Sequence, residues 1–353
     1  MATKKSTKAN GTNEFFANAI SPSMENFVFM EKAAQILEIG FATEKNIVLY
    51  GPGGHGKSEL TEAFFASKGI KPYVITMGTG MTTDRMFGGL DIPTFNATGK
   101  IEYLIENSFM NHEYVVFEEM FDAPDFILEQ LKDILSSGTF RNGTQMFPIK
   151  TKFIVCCTNR TRDEFSKNMS LKALMERFPL ELNVIWDNYT DIAYNRLLEQ
   201  RFGEGNVEPI IPFILQEYAK NSIIISPRVA ITAYTVFEQC GPEALGFIAE
   251  FAKKPSLVAD ALKKFESYGK LRALGGLMHD HFQTLDSNTL GNKTDIESFN
   301  ETHAEYQTML GELKSLKVSD DLIDTHTQLV KDHEVKNKSL AKKLMIATTL
   351  VND

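Results

Sequence analysis

The chain of 353 residues carries 37 lysines and arginines against 46 aspartates and glutamates, a formal net charge of −9. Its 43% hydrophobic and 24% charged residues exclude wholesale disorder, and its length allows about two domains with real cores. The acidic balance disfavours a protein whose main task is to coat nucleic acid or anionic membrane, and three cysteines are too few for a disulfide scaffold.

The amino-terminal segment and the hydropathy predict a soluble, intracellular protein. Residues 1–12 are rich in lysine, serine, threonine and asparagine and lack the apolar region of a signal peptide. No apolar stretch approaches the roughly 18 residues that span a bilayer. We therefore expect a cytoplasmic chain with a flexible arm at 1–24 and no membrane insertion.

A strand, a glycine-rich loop and a helix are predicted next. Asn46–Tyr50 is an apolar run typical of a buried strand, and Lys57–Lys68 has a helical pattern. The eight residues that follow the strand form a complete G-x-x-x-x-G-K-[ST] motif: Gly51, Pro52, Gly53, Gly54, His55, Gly56, Lys57 and Ser58. In this motif backbone N–H groups surround phosphate oxygens, the lysine reaches the β- and γ-phosphates, and the hydroxyl can bind Mg²⁺. The sequence therefore predicts a phosphate-binding loop.

The third predicted strand ends in two acidic residues. Tyr73–Thr76 is the second short apolar run, and Tyr114–Glu118 is the third, followed at once by Glu119. A nucleotide hydrolase needs one carboxylate for Mg²⁺ and its waters and another that polarises the attacking water. By position, Glu118 takes the metal role and Glu119 the base role. The alternative is that both are surface acids at the end of an edge strand.

A helix, a hairpin and a fourth strand follow. Asp125–Ser136 has apolar residues at helical spacing, with Pro124 at its start and Gly138 after its end. The dipeptide Asn142-Gly143 predicts a tight β-hairpin. Phe153–Cys157 is another apolar run, followed by Thr158 and Asn159. A neutral amide at Asn159 can hold the lytic water against the γ-phosphate without competing for the metal.

The last strand and two arginines precede a purely helical region. Leu180–Ile185 is the fifth apolar run, and Arg177 lies just before it. Residues 189–252 have the pattern of several helices, one of which opens at Ser226-Pro227-Arg228. Each arginine is either a surface ion-pair partner or a fixed positive charge for phosphoryl oxygens in the transition state. Residues 253–353 are polar and helical, with a break at 287–292.

These elements together predict an α/β fold. Five short apolar strands that alternate with helices indicate a five-stranded parallel sheet flanked by helices, because such strands are buried on both faces. The phosphate-binding loop makes this sheet a P-loop NTPase core. An all-α lid and a helical carboxy-terminal extension follow. The predicted boundaries are 25–190 for the nucleotide-binding domain, 191–254 for the lid and 255–353 for an extension without assigned function.

Residues from about 25 to 235 resemble the AAA+ ATPases, and within them the MoxR-like branch. In that family the P-loop, an acidic Walker B strand, a sensor 1 asparagine, an arginine finger and a sensor 2 arginine occur in this order. Glu176-Arg177-Phe178 is similar to the family's Asp-Arg-Phe finger segment, and Ser226-Pro227-Arg228 to its Ser-Pro-Arg sensor 2. The stretches 88–107 and 138–148 resemble its insertion in helix 2 and its hairpin before sensor 1. Glu118 departs from the family's usual aspartate.

The resemblance implies an ATPase that uses ATP and Mg²⁺ and converts ATP and water to ADP and phosphate. It implies a ring homo-oligomer, a hexamer by analogy with the family, in which Arg177 reaches the neighbouring subunit's γ-phosphate and Arg228 closes from the lid. It also implies chaperone-like remodelling or assembly of a protein partner, with a separate von Willebrand A-type protein as one candidate. Two alternatives stay open: a nucleic-acid-associated AAA+ motor or loader, and a nucleotide-bound scaffold that does not hydrolyse.

Overall fold

The computed structural model describes residues 27–143, 145–166, 169–287 and 293–315, together with residues 328 and 331. The predicted arm at 1–24 lies outside these residues. The chain forms two compact units. The first takes in the chain up to Val207 together with Ile224–Thr235, and the second takes in Glu208–Ile223 and the chain from Val236 onward.

The described residues of the first unit include nine strands. In chain order they are β1 (Ile47–Tyr50), β2 (Tyr73–Thr76), β3 (Gly89–Leu90), β4 (Tyr103–Leu104), β5 (Tyr114–Glu118), β6 (Thr139–Asn142), β7 (Gln145–Pro148), β8 (Phe153–Thr158) and β9 (Leu180–Asn183). Five of them form one sheet in the order β2-β5-β8-β1-β9, and all of its neighbouring pairs are parallel. The predicted five-stranded parallel sheet is confirmed.

The helices of the first unit flank this sheet and connect its strands. They are α1 (Glu31–Thr43), α2 (Lys57–Ser67), α3 (Thr83–Phe87), α4 (Ile92–Thr98), α5 (Asp125–Ser137), α6 (Arg162–Ser166), α7 (Met169–Met175), α8 (Asp191–Phe202) and the first turns of α10 (Pro227–Cys240). Short 3₁₀ helices cover Phe109–Asn111 and Met120–Asp122. In the part of the chain that the structure describes, all regular secondary structure after Asn183 is helical.

The central strands are apolar because both of their faces are covered. Along β8, Phe153, Val155 and Cys157 pack into one core, whereas Ile154 and Cys156 pack into the other. This alternation follows from the two-residue period of a strand. All six residues of β8 are buried, so neither face of this strand meets water.

The order of the strands brings the predicted functional segments to one edge. Strand β8 lies between β1 and β5. Because the three strands are parallel, the loop after β1, the residues after β8 and the acidic end of β5 meet at their carboxyl ends. This is the edge of an open α/β sheet at which ligands bind.

Three strand boundaries differ from the prediction: β1 begins one residue later, β8 ends one residue later, at Thr158, and β9 ends two residues earlier. The side chain of Asn46, the residue before β1, hydrogen-bonds to the backbone of two other segments, donating to the Arg177 carbonyl and accepting from the Ile154 N–H. Strand β9 ends at Asn183 although the apolar run continues to Ile185. Val184 still donates to the carbonyl of Tyr50, the last residue of β1, and beyond that point β1 offers no further partner.

The predicted hairpin is confirmed and lies beside the inserted segment. Strands β6 and β7 are antiparallel, with Asn142 opposite Gln145, and Gly143 has a φ of 59° that favours glycine. The Gln145 side chain donates a 2.6 Å hydrogen bond to the carbonyl of Ile101, between α4 and β4. Strands β3 and β4 pair with each other within the stretch 88–107.

The described residues of the second unit form helices. Its elements are α9 (Ile210–Lys220), a 3₁₀ helix (Pro242–Phe247), α11 (Ala249–Ala252), α12 (Ser256–Ser287) and α13 (Lys293–Ser315). The buried Glu217 accepts hydrogen bonds from Lys220 and Lys264 and so joins α9 to α12. The predicted break at 287–292 agrees with the end of α12, and 288–292 lie outside the described residues. No helix in the described part of the chain is both long and apolar enough to cross a bilayer.

Candidate active site

The glycine-rich loop lies between β1 and α2, as predicted. Gly56 is the residue before α2 and has a φ of 78°, which a glycine adopts without strain. Gly51 has a φ of 136°, and a Cβ atom there would lie 2.6 Å from the carbonyl oxygen of Val184. Glycine is therefore required at both ends of the loop. The loop ends at the amino terminus of α2, where unpaired N–H groups and the helix dipole favour an anion.

Lys57 directs its ammonium group into the loop. Its Nζ donates to the carbonyl oxygens of Gly51 and Pro52, at 2.7 and 2.9 Å, and to Oδ1 of Asn159, at 3.0 Å. Burial lowers the pKa of Lys57, and Arg228 adds to this effect, whereas Cys157 and Glu119 oppose it. A buried ammonium held by neutral oxygens is a cation that phosphate oxygens can pair with.

The two acidic residues after β5 have different surroundings. Oε2 of Glu118 accepts a 2.9 Å hydrogen bond from the Thr76 hydroxyl on the neighbouring strand. Glu119 has a φ of 51°, a conformation that costs a residue with a side chain on the order of 1 kcal/mol. Its N–H donates to the Cys157 carbonyl at 2.8 Å. The two carboxylates thus have different hydrogen-bond partners, a hydroxyl on β2 for Glu118 and the Asn159 N–H for Glu119.

Asn159 connects the loop to Glu119. Its side chain accepts from Lys57, and its backbone N–H donates to Oε2 of Glu119 at 3.1 Å. The Thr158 hydroxyl lies 3.5 Å from the same carboxylate oxygen. Lys57, Asn159 and Glu119 therefore form one hydrogen-bonded chain across the carboxyl ends of three adjacent strands.

Arg228 reaches the loop through its backbone. Its N–H donates a 3.1 Å hydrogen bond to the carbonyl of Gly54. A Cβ atom at Gly54 would lie 2.7 Å from the hydroxyl oxygen of Ser226, so the two segments pack closely. The Arg228 side chain is exposed and lines a cavity of about 490 Å³ beside Gly54, His55 and Gly56.

This cavity has the size and walls of a small-ligand site. Ligand pockets typically measure about 300–1,000 Å³ and combine apolar walls with a few polar groups. The apolar walls here include Phe27, Met30, Trp186 and Ile231, and the polar groups include Gln200 and Arg201. Because the cavity opens onto the phosphate-binding loop, one ligand could contact both.

Arg177 is not brought to this site within its own chain. Its guanidinium donates to the Ser136 hydroxyl, to the Ala173 carbonyl and to Glu176, each within 2.9 to 3.0 Å. Its carbonyl accepts from Asn46, which precedes β1, whereas the phosphate-binding loop follows β1. Arg177 thus lies toward the opposite edge of the sheet.

The donor set fits Mg²⁺. Ser58 is exposed on the first turn of α2 and offers a hydroxyl, and Glu118 offers a carboxylate at the end of β5. Within the described ranges, no group of three or more histidine, cysteine, aspartate or glutamate side chains could hold a metal ion. Mg²⁺ in nucleotide sites takes one or two protein ligands and completes its shell with phosphate oxygens and waters, so two oxygen donors beside a phosphate-binding loop suit it.

Three partners of the site were missed in the sequence. Thr76 holds Glu118, and Tyr189 holds His55. Asp122 accepts a 2.8 Å hydrogen bond from Arg160, the residue after Asn159. Each partner lies on a different element from the residue that it holds. A polar residue at the end of a predicted neighbouring strand could have indicated Thr76, but no local pattern indicated the other two.

Several solved structures are similar to this chain at low sequence identity. A candidate ATPase from Cytophaga hutchinsonii is 14% identical, with a TM-score of 0.38, and the match covers 57% of this chain and 60% of that one. A mutant RuvB from Thermotoga maritima is 14% identical over 70% of this chain and 73% of its own, with a TM-score of 0.43. NtrX from Brucella abortus in complex with ATP is 14% identical, with a TM-score of 0.41, and the match covers 64% of this chain and 52% of that one.

A family profile gives a more specific result. Residues 15–207 match the family described as the MoxR domain in the MoxR-vWA-beta-propeller ternary systems. The match contains the phosphate-binding loop, the acidic pair, Asn159 and Arg177, and it covers more than half of the chain. The chain belongs to the MoxR-like branch of the AAA+ ATPases.

Proposed function

We propose that this chain binds ATP with Mg²⁺ and hydrolyses it to ADP and phosphate. The observation that carries the proposal is the hydrogen-bonded chain from Lys57 through Asn159 to Glu119. It links a cation for the phosphates, an amide and a carboxylate at one edge of the sheet. Phosphoryl transfer needs this combination, because its catalysis consists mainly of positioning and electrostatic stabilisation.

The phosphates would lie on the loop and the nucleoside in the adjoining cavity. The N–H groups of residues 51–56 and the amino terminus of α2 supply donors for the phosphate oxygens. Lys57 supplies the fixed positive charge. Arg228, on the cavity wall, would add a second charge, as a sensor 2 arginine does in the family that the sequence resembles.

Ser58 and Glu118 would hold Mg²⁺, which when bound neutralises charge on the β- and γ-phosphate oxygens. Glutamate is one methylene longer than the family's usual aspartate, so Glu118 reaches further from β5. The Thr76 hydroxyl on Oε2 limits where that carboxylate can lie. The hydrogen bond from Thr76 thus restrains the longer Glu118 side chain at the edge of the sheet.

Glu119 would accept the proton of the attacking water. Its Oε2 is oriented by the N–H of Asn159, and the second carboxylate oxygen is the one that would face the water. The Asn159 amide, beside both Lys57 and Glu119, would orient the same water toward the γ-phosphate. Catalysis would then depend on how accurately Asn159 is held.

We further propose that hydrolysis requires assembly into a ring, with a hexamer expected from the family. Arg177 lies away from its own chain's loop and is partly exposed, as a residue that serves a neighbouring subunit must be. The chemical work would be chaperone-like remodelling or assembly of a protein partner. The family description names MoxR-vWA systems, which makes a von Willebrand A-type protein the first partner to test.

Steady-state phosphate release from ATP tests the enzymatic part of this proposal. The full chain should release phosphate in the presence of Mg²⁺ and lose this activity when the metal is chelated. The glutamate at position 118 also suits a scaffold that binds nucleotide without hydrolysing it. Binding of ATP without phosphate release would establish that second function and overturn the first.

A further inference from the structure

His55 is the one residue of the loop 51–56 that can anchor it by a side chain. Four of the six positions are glycine, and Pro52 is exposed. The His55 side chain, by contrast, is buried, with the residue only 3% exposed. Its Nε2 lies 2.8 Å from the hydroxyl oxygen of Tyr189, and its Nδ1 lies 3.2 Å from the carbonyl oxygen of Gly53. The loop is therefore tied to a residue 134 positions away.

The partners of the ring define its protonation. A carbonyl oxygen only accepts hydrogen bonds, so Nδ1 carries the hydrogen and donates to Gly53. Nε2 of the neutral ring then accepts from the Tyr189 hydroxyl. Burial lowers the pKa of His55 and so favours this neutral form. One tautomer thus satisfies both contacts, and both point the ring away from solvent.

Tyr189 belongs to a cluster of aromatic side chains that we name the aromatic connector: Trp186, Tyr189 and Tyr194. Trp186 stacks on Tyr189 with ring centroids 5.6 Å apart, and Tyr194 lies 5.6 Å from Trp186 and 6.3 Å from Tyr189. The buried Tyr194 donates a 2.7 Å hydrogen bond to the Ile225 carbonyl. Ile225 directly precedes Ser226-Pro227-Arg228, so the connector also holds the segment that carries Arg228.

The loop is held on two sides as a result. Tyr189 holds His55, and the backbone N–H of Arg228 holds the neighbouring Gly54. Both contacts lead back to the aromatic connector, one through Tyr189 and the other through Tyr194 and Ile225. The middle of the loop and the sensor 2 segment therefore share one support.

We propose that His55 is a positioning residue, which through Tyr189 holds the phosphate-binding loop in its anion-binding shape and in register with Arg228. This inference rests on the proposed function only in taking the loop as a nucleotide phosphate site. A loop that is already ordered loses less conformational freedom when the phosphates bind. Without the anchor, more of the ordering of the glycines around His55 would have to come from the nucleotide itself.

The test compares ADP affinity in variants of the full chain. Tyr189→Phe removes the hydroxyl and keeps the ring of the connector, so the loss of one hydrogen bond should weaken ADP binding about fivefold. His55→Ala removes both contacts and should weaken it more. His55→Gln can still donate to the Gly53 carbonyl and accept from Tyr189, so its affinity should return toward that of the wild type. Tyr73→Phe, at a partly buried tyrosine on β2 stacked on His112, is the matched control and should bind ADP normally.

Calorimetric titration with ADP measures these affinities without hydrolysis. Trp186, the chain's one tryptophan, lines the cavity and provides a second signal through its emission. A positioning role also predicts that Tyr189→Phe raises the KM for ATP about fivefold and leaves kcat within about twofold, since the bond holds the loop and not the reacting atoms. Thermal unfolding identifies any variant that fails to fold.

The outcomes separate this inference from the proposed function. The positioning role alone is overturned if Tyr189→Phe binds ADP as tightly as the wild type. It is also overturned if His55→Gln binds ADP no more tightly than His55→Ala. A fall in kcat with an unchanged KM also overturns it. A wild-type chain that binds no ADP overturns both the proposed function and the positioning role.

Discussion

Lys57 donates a 3.0 Å hydrogen bond from its ammonium group to Oδ1 of Asn159. This bond joins the helix that follows β1 to the residue that follows β8, and Asn159 in turn donates to Glu119. Phosphate oxygens would compete for the same ammonium. A phosphate that draws Lys57 toward itself would therefore loosen its hold on Asn159, so that substrate binding and the position of the amide are linked.

Lys57→Ala should strongly weaken ATP binding. The variant loses charge-assisted hydrogen bonds to the phosphates, and a loss of about 3 kcal/mol corresponds to roughly 100-fold weaker affinity. Calorimetric titration with ATP measures this change, and Lys71→Ala, at an exposed lysine after α2, is the control. Near-normal ATP affinity in Lys57→Ala would contradict the assignment of the loop.

Arg177→Ala should bind ATP normally and hydrolyse it at least about tenfold more slowly, because a fixed guanidinium stabilises charge in the transition state. Mixing it with Lys57→Ala should restore part of the activity, since mixed assemblies contain interfaces with one intact loop and one intact arginine. Phosphate release by the mixture, compared with each variant alone, is the measurement.

Ser136→Ala is the matched control for Arg177. It removes the hydroxyl that the guanidinium contacts within its own chain and leaves the arginine in place. If Arg177 acts on a neighbouring subunit, Ser136→Ala should retain activity. If the arginine only stabilises its own chain, Ser136→Ala and Arg177→Ala should both slow hydrolysis. Mixing Arg177→Ala with Lys57→Ala should then restore no phosphate release.

Arg228→Ala should weaken ATP binding about fivefold to tenfold without disordering the loop. The contact with Gly54 uses the backbone N–H, which alanine retains, whereas the charged side chain on the cavity wall is lost. ATP titration measures the affinity, and Arg85→Ala, at an exposed arginine on α3, is the control. Equal affinities for Arg228→Ala and the control would remove Arg228 from the site.

Acid should destabilise the wild-type chain relative to His55→Gln. Burial lowers the pKa of His55, and Lys57 adds to this, although the carbonyls of Gly53 and Pro52 oppose it. The unfolded chain keeps a histidine pKa of about 6.5. Below about pH 6.5 the histidine of the unfolded chain gains a proton, whereas the buried His55 of the folded chain resists protonation. The contribution of His55 to the free energy of unfolding is therefore fully present above the unfolded pKa and is lost as the pH falls through the folded pKa.

Thermal unfolding of both proteins at about pH 7.5 and about pH 5.5 measures this difference. Any stability advantage of the wild type should shrink at the lower pH. The other charged groups that line the adjoining cavity are the same in both proteins: Glu59, Arg201 and Arg228. A stability difference that does not change with pH would show that His55 is protonated equally in the folded and unfolded chains.

The strands and the loop were predictable because their signals are local. Strands β2 and β5 begin and end as predicted, since each is a short apolar run bounded by polar residues or turns. The Asn142-Gly143 hairpin is also a local signal. The end of β9 was not predictable from Val184 and Ile185, which are as apolar as the strand itself, because it depends on where the neighbouring β1 ends.

The contacts that organise the site depend on tertiary structure. Asn159 is 102 positions from Lys57, and Tyr189 is 134 positions from His55. Sequence motifs identified Lys57 and Asn159 one by one, and the parallel sheet explains why they meet. His55 lies at a position where the motif accepts many residues, so its burial against Tyr189 could only come from the folded chain.

The most direct test of the account compares the wild type with Glu119→Gln under single-turnover conditions with ATP and Mg²⁺. Glutamine keeps the size of the side chain and an oxygen for the Asn159 N–H, but it is not a base at neutral pH. We expect Glu119→Gln to bind ATP as tightly as the wild type and to retain it intact, with phosphate release at least about 100-fold slower. Phosphate release at the wild-type rate by Glu119→Gln would contradict the central claim that Glu119 is the base of an ATPase.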